Sequence, residues 1–304
     1  MAQSGGLHPI RVMVTFHSLF YIPIYATVAS GFFESQGISV SFQTCPPKYA
    51  HGLAALNQGA ADIVQSGIMR GIIALDWGAE SVPPHIAKIN SRDGFFLLRQ
   101  PSDHPFDWSD LSGSRVIPLS FSPMPWASLQ FALKNHSIDL NSLVLLHGLT
   151  QDEALKAFCD GKADFIHVPE PNASNLIDSG AADLAVALGP ENGHVAYSSF
   201  ATTNHLLEHH PDTMQSFVRG FGKGLEWINA SHQSDIADAI GPFFDEIPKD
   251  LLVKSVARYK EQGTWSSDPM LREDEFYRQQ DILISAGLVK AQQPYSKVVR
   301  PVLT

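Results

Sequence analysis

The second half of the chain contains stretches in which apolar side chains recur at the spacing of one helix face. Residues 211–231 show this pattern, with Phe217, Phe221 and Leu225 on one face, and residues 248–262 show it again. Before about residue 195, short segments rich in β-branched residues alternate with helical segments. Strands that alternate with helices are typical of parallel sheets with helices on their faces, so the pattern predicts an α/β fold.

A ten-residue pattern occurs twice in this alternating region. Residues 55–64 read ALNQGAADIV, and residues 157–166 read AFCDGKADFI, so each copy has a glycine, one spacer, Ala-Asp and an apolar pair. A strand that starts with Arg-Val precedes each copy at nearly the same interval, at Arg11 and at Arg115. The two regions are therefore interpreted as two versions of one structural unit.

Each copy belongs to a predicted β-α-β-α-β unit. The predicted strands are 10–16, 38–43 and 62–65, then 115–119, 143–147 and 164–168, and the predicted helices are 21–31, 49–58, 126–135 and 151–160. Gly59 is expected to end a helix in the left-handed conformation, which other residues adopt only with strain. Two such units predict two βα lobes with a hinge and a central cleft. Lobe 1 would contain 9–95 plus 196–304, and lobe 2 would contain 96–195.

Composition narrows the class of partner. The chain has 304 residues, of which 44% are apolar, and a formal net charge of −10. This charge argues against nucleic acid as a partner, because phosphate binding needs clustered lysine and arginine. Cys45 and Cys159 show neither a C-x-x-C motif nor a metal-ligand spacing. We expect two separate thiols, although the sequence leaves their pairing open, and we expect no metal and no cofactor.

The sequence leaves the cellular compartment open. No run approaches the 18 apolar residues of a membrane-spanning helix, so no transmembrane segment is predicted. Residues 1–9 have neither the charged region nor the apolar region of an export signal. Either the protein is cytoplasmic, or an export signal has been removed and the protein is periplasmic or otherwise extracytoplasmic.

The carboxyl ends of the predicted strands indicate the loops where a ligand would lie. Open parallel sheets bind ligands beyond the carboxyl ends of their strands, which selects the loops at 16–21, 65–70, 120–126 and 167–171. Aromatic side chains in such loops supply contact area, and polar ones fix orientation. The candidate ligand-binding residues are His17, Phe20, Tyr21, Ser66, Gly67, Met69, Arg70, Asn90, Arg92, Ser122, Met124, Trp126, His167, Glu170 and Ser198. No catalytic residue is predicted.

Two helix starts are expected to face an anionic ligand. Ser66 and Gly67 are predicted to open a helix, whose first N–H groups and dipole favour negative charge. Ser122, followed by prolines, is predicted to open a second helix near Trp126. Arg70 is expected to pair with a carboxylate, sulfonate or phosphate.

Three of these assignments have alternatives that the sequence leaves open. His17 is either a ligand contact or a surface or capping histidine. Arg70 either binds the ligand or pairs with Asp76 or Glu80. Glu170, which lies between two prolines, either faces the cleft or anchors the hinge.

The aromatic residues have an alternative of their own. The ring of Phe20, of Phe95 and of Trp126 is either a ligand contact or part of the apolar core. The sequence pattern is the same in both cases.

Six stretches of the sequence carry a resemblance to a known protein family. The matching stretches are 20–38 (FYIPIYATVASGFFESQGI), 55–64, 90–98 (NSRDGFFLL), 161–171 (GKADFIHVPEP), 198–211 and 281–289. The chain is similar to the substrate-binding proteins of nitrate, sulfonate and taurine ABC importers, whose superfamily includes the NMT1/THI5-like proteins. The resemblance implies a periplasmic-binding-protein type II fold that closes by hinge motion on a small anionic or aromatic organic ligand. It also implies a monomer with an ABC permease and ATPase as partners.

The chain departs from the enzymes of this superfamily. The pyrimidine synthases have a lysine four residues and a histidine eight residues past the aspartate of the repeated motif, where this chain has Ser66 and Arg70. The desulfinases use a cysteine near the position of Ser18, and a hydroxyl does not easily replace a thiolate. A binding protein for import is therefore the preferred interpretation. The alternative is a cytoplasmic enzyme or sensor on the same fold, thiamine-pyrimidine-related or desulfinase-like.

Overall fold

The computed structural model describes residues 7–119 and 122–302, which form two five-stranded sheets covered by helices. The strands are β1 His8–Val14, β2 Ile38–Thr44, β3 Ile63–Gly67, β4 His85–Asn90, β5 Phe96–Arg99, β6 Arg115–Ile117, β7 Val144–Leu145, β8 Phe165–Val168, β9 Asp183–Ala187 and β10 Ser198–Thr202. The first sheet has the order β2-β1-β3-β10-β4, and the second has the order β7-β6-β8-β5-β9. The two sheets therefore repeat one arrangement.

The helices cover both sheets. They are α1 Ile22–Ala29, α2 Gly52–Asn57, α3 Met69–Asp76, α4 Pro123–Asn135, α5 Gln151–Cys159, α6 Asn172–Asp178, α7 Leu188–Asn192, α8 Asn204–His209, α9 Pro211–Ala230, α10 Gln233–Ile240, α11 Lys249–Glu261, α12 Glu273–Ser285 and α13 Tyr295–Val298. None of the helices within 7–119 and 122–302 has the length and hydrophobicity of a membrane span.

The repeated sequence motif has a structural cause. In the first sheet Asp62, just before β3, accepts hydrogen bonds from the backbone N–H of Arg11 (2.8 Å) and from its guanidinium (2.8 Å). In the second sheet Asp164, just before β8, accepts the equivalent bonds from Arg115 at 2.7 and 2.6 Å. Each pair joins the starts of neighbouring parallel strands. Exposed ion pairs add little stability, so their role is to fix the strand register.

Both sheets are mixed, whereas the sequence pattern predicts parallel ones. The pairs β1–β2, β1–β3, β6–β7 and β6–β8 are parallel. However, β10 runs antiparallel to β3 and β4, and β5 runs antiparallel to β8 and β9. These two strands carry the chain out of one sheet and into the other, which requires the opposite direction.

The predicted helix starts need correction. Ser66 and Gly67 belong to β3 and do not open a helix, because α3 begins two residues later with Ile68 as its N-cap and without a side-chain cap. Helix α4 begins at Pro123 after the N-cap Ser122, earlier than the expected start near Trp126. Of the predicted loop at 120–126, residues 120 and 121 lie outside the described residues.

The chain crosses between the sheets twice. It leaves the first sheet at Asn90 and enters the second at Phe96, then leaves the second at Ala187 and returns at Ser198. We propose that the lobes divide at these crossings, as expected for 9–95 plus 196–304 and 96–195.

Asp93 lies buried in the first crossing segment. Burial raises the pKa of its carboxyl to about 7, and the Ser128 hydroxyl and the Phe95 N–H, which donates to Oδ1 at 2.7 Å, offset this only in part. The unfolded carboxyl has an ordinary acidic pKa. The wild-type protein therefore loses stability as the pH rises from about 4 through about 7, because the folded state must then hold a buried charge.

The substitution Asp93→Asn should remove this pH dependence. Asparagine keeps the acceptor for the Phe95 N–H but carries no charge. Above pH 7 the variant should be more stable than the wild type by roughly 2 to 4 kcal/mol, and the difference should vanish towards pH 4. Urea unfolding over this pH range measures the difference. Parallel stability curves for the two proteins would show that Asp93 does not titrate in this range.

Candidate functional site

A cavity of about 520 Å³ lies where loops from the two sheets meet. The first sheet contributes residues 15–21 after β1 and residues 67–70 around the start of α3. The second contributes Ser122, Met124 and Pro125 at the start of α4 and residues 169–172 before α6, and Phe244, Glu246 and Ile247 close one side. This volume is in the range of small-molecule sites.

Most of the predicted ligand-binding residues line the cavity. They are His17, Phe20, Tyr21, Gly67, Met69, Arg70, Ser122, Met124, Glu170 and Ser198. The rule that ligands lie beyond the carboxyl ends of strands therefore selected the loops that surround the cavity.

Ser66, Asn90 and His167 are buried and do not line the cavity. The Asn90 amide donates to the Phe20 carbonyl at 2.8 Å and accepts from the Ser198 hydroxyl, so it supports the wall from behind. Burial lowers the pKa of His167 to about 3, which leaves its ring uncharged. His167 therefore supplies no positive charge to an anionic ligand.

Arg92 and Trp126 also lie away from the cavity. The Arg92 guanidinium donates to the Gln262 carbonyl at 3.0 Å and lies 3.1 Å from the His194 ring nitrogen. The half-buried Trp126 ring packs against the apolar cluster of the second sheet. Both side chains contact neighbouring parts of the protein and not the cavity. The sequence around them does not indicate this orientation.

Arg70 brings a positive charge into the cavity wall. Its side chain is half-buried, and desolvation lowers its pKa, whereas the Tyr21 hydroxyl opposes this effect. It forms no ion pair in the described part of the chain. Asp76, its suggested alternative partner, instead accepts the backbone N–H of Lys290 at 3.1 Å. Arg70 is thus an unpaired, partly desolvated cation.

Gln65 is a site residue that the sequence reasoning missed. It is fully buried, accepts the Thr15 N–H at 3.0 Å through Oε1, and lines the cavity. Its Nε2 makes no hydrogen bond of standard geometry within the described residues, but the amide faces the Tyr21 hydroxyl, whose raised pKa it partly lowers. The Gln65 amide therefore fixes the inner wall of the cavity beside Tyr21. The sequence feature that could have indicated Gln65 is a single amide side chain directly after the apolar residues that begin β3.

Aromatic rings form one wall of the cavity. The centroid of the Phe20 ring lies 5.5 Å from that of Phe95 and 5.3 Å from that of Tyr197. The Trp265 indole donates to the Phe20 carbonyl at 3.2 Å, and a Cβ added to Gly94 would lie 2.2 Å from the Phe20 ring. This wall is therefore rigid, and Phe20 and Phe95 belong both to the core and to the cavity.

His17 lies at the exposed mouth of the cavity. Its ring stacks on Phe244 with centroids 4.5 Å apart, and its Nδ1 is 3.1 Å from the Tyr25 hydroxyl. It caps no helix, because the short 3₁₀ turn at Leu19–Tyr21 is capped by the Ser18 hydroxyl. His17 and Phe244 together form one edge of the entrance.

Glu170 joins the segment before α6 to helix α11. Its buried carboxylate is 2.9 Å from the Arg258 guanidinium and accepts hydrogen bonds from the hydroxyls of Ser174 and Ser255. Burial raises its pKa, and these partners oppose the rise. Since Arg258 and Ser255 belong to α11, the geometry favours the anchoring alternative over a carboxylate offered to the ligand.

Residues 7–119 and 122–302 include side chains of the metal-ligating and nucleophilic types. They contain no group of three or more His, Cys, Asp or Glu side chains that could hold a metal ion. Ser18, at the position of the desulfinase cysteine, accepts the Phe20 N–H at 3.2 Å. Cys45 and Cys159 are not joined in a disulfide.

Comparison with known proteins extends this picture. "Putative binding protein YtlA" of Bacillus subtilis (strain 168) is 28% identical over 298 residues, which cover 98% of this chain and 89% of that relative. The structure is similar to the periplasmic aliphatic sulphonate binding protein SsuA from Escherichia coli, with a TM-score of 0.73, 16% identity, and 96% and 92% of the two chains covered. It is also similar to the alkanesulfonate-binding protein SsuA from Xanthomonas axonopodis pv. citri bound to MOPS, with a TM-score of 0.72 and 16% identity. This match covers 98% of this chain and 100% of that chain.

These likenesses confirm the expected periplasmic-binding-protein fold, with its two lobes of α/β structure. A family model described as NMT1/THI5 like matches residues 20–234, which is more than two thirds of the chain. The chain belongs to the NMT1/THI5-like family.

Proposed function

We propose that the protein binds a small organic anion between its two sheets and delivers it to an ABC permease and ATPase. The observation that carries this proposal is Arg70, a half-buried cation that lies at the wall of an aromatic-lined cavity and forms an ion pair with none of the described residues. A desolvated cation gains most from an anion that enters the same site.

Helix α3 adds to the attraction for an anion. It begins at Met69 and Arg70, both of which line the cavity, and has no side-chain cap. Its first N–H groups and its dipole therefore add partial positive charge at the end of the helix that carries Arg70. A carboxylate or sulfonate would satisfy the guanidinium and these donors together.

The names of the relatives support the binding role. The two SsuA structures are named as sulfonate-binding proteins, and the relative YtlA is named as a binding protein. By this analogy we propose that the protein acts as a monomer outside the cytoplasm. The hydroxyl of Ser18, which caps a turn, gives no support to the enzymatic alternative.

Calorimetric titration tests the proposal with matched pairs of probes. We expect aromatic and aliphatic carboxylates and sulfonates, such as benzoate and benzenesulfonate, to bind, and their neutral amides, such as benzamide, to bind at least about tenfold more weakly. A bound anion at 100 times its dissociation constant should stabilise the protein by about 2.7 kcal/mol. Equal binding of acids and amides, or turnover of a bound acid, would overturn the proposal.

A further inference from the structure

The charges around the cavity are unequal in number. Among the described residues that line it, Arg70 is the sole lysine or arginine, whereas two carboxylates, Glu170 and Glu246, also line it. Apart from the imidazole of His17, which also lines the cavity, the positive charge available to a ligand therefore amounts to one guanidinium and the partial charge at the start of α3.

The two carboxylates differ in how they are compensated. Glu170 is ion-paired with Arg258, whose guanidinium lies outside the cavity lining. Glu246 is exposed beside Phe244 and forms no ion pair in the described part of the chain. Its negative charge therefore acts on whatever enters the cavity.

We infer that the cavity selects singly charged anions, such as carboxylates and sulfonates, over doubly charged ones, such as phosphate monoesters. The inference rests on the proposed function and specifies its ligand class. A second negative charge would lose its water without gaining a second counter-charge, and it would be repelled by Glu246. Sites for phosphate dianions instead gather several cationic or backbone donors around one group.

Phenylphosphonate and its monomethyl ester differ by one unit of charge at a pH where phenylphosphonate carries two charges. They share the ring and the C–P bond, but the ester adds a methyl group, so benzenesulfonate, which has one charge and no added methyl, serves as the second monoanion. The wild-type protein should bind the monoester about tenfold or more tightly than the dianion, and benzenesulfonate should behave like the monoester. Calorimetric titration measures all three affinities.

Two neighbouring carboxylates provide the test and its control. Glu246→Gln removes the uncompensated charge, so the preference for the monoester should shrink at least about threefold. Asp245→Asn removes an equally exposed charge that does not line the cavity, and the preference should remain. Phenylphosphonate that binds as tightly as its monoester, or a preference that Glu246→Gln leaves intact, would overturn the inference. Failure of all three probes to bind would instead contradict the proposed function.

Discussion

The substitution Arg70→Met is expected to weaken the binding of benzenesulfonate about a hundredfold. Methionine keeps most of the apolar stem but removes the guanidinium. The anion would then enter a partly desolvated wall without a counter-charge, and truncating one partner of such a pair costs about 2 to 5 kcal/mol. Calorimetric titration of the variant measures the loss.

Controls separate this effect from damage to the fold. Arg70→Lys keeps the charge but loses the bidentate geometry, so its affinity should lie between those of wild type and Arg70→Met. Arg219→Met removes an exposed guanidinium on α9 that does not line the cavity, and this variant should bind like wild type. Unchanged affinity in Arg70→Met would remove Arg70 from the binding site.

The substitution Gly224→Ala is expected to destabilise the protein by about 2 to 3 kcal/mol. A Cβ at this position of α9 would lie 1.9 Å from Oγ1 and 2.8 Å from Cβ of Thr27 in α1. Thr27 is fully buried, and its hydroxyl donates to the Pro23 carbonyl at 2.6 Å, so it has no room to yield. Overpacking of this kind separates the two helices. Denaturant unfolding measures the loss.

The same helix offers a matched control. A Cβ on Gly222 would lie 3.7 Å from Pro269, an ordinary contact, so Gly222→Ala should be neutral or stabilise the protein by up to about 1 kcal/mol. Adding Thr27→Ala to Gly224→Ala should restore part of the stability, because it removes the closest clashing atom. A destabilisation that Thr27→Ala does not reduce would show that the clash is not its cause.

Local patterns predicted much of the fold because its units are local. The helical periodicity of 211–231 and 248–262 is matched by α9 and α11. The predicted left-handed cap at Gly59 is confirmed by its φ of +71°, which Gly161 repeats. The antiparallel strands β5 and β10 were not predicted, because their direction depends on where the chain crosses between sheets.

The site was predicted less completely, because its details depend on distant partners. Strand ends indicated the loops that contain His17 and Arg70. Nothing in the sequence indicates that Glu170 meets Arg258, which lies far along the chain on α11. Whether Arg92 turns towards the cavity or towards Gln262 is likewise decided by packing. Such contacts are tertiary, and residue spacing along a loop does not record them.

The claim that the cavity holds a small organic anion is tested most directly by native mass spectrometry. The protein is purified from its own cells without added ligand, alongside the Arg70→Met variant. The account predicts that the wild type carries an adduct with the mass of a singly charged organic acid and that the variant lacks it. An adduct of equal occupancy in both proteins, or one that is neutral or a phosphate monoester, would contradict the account.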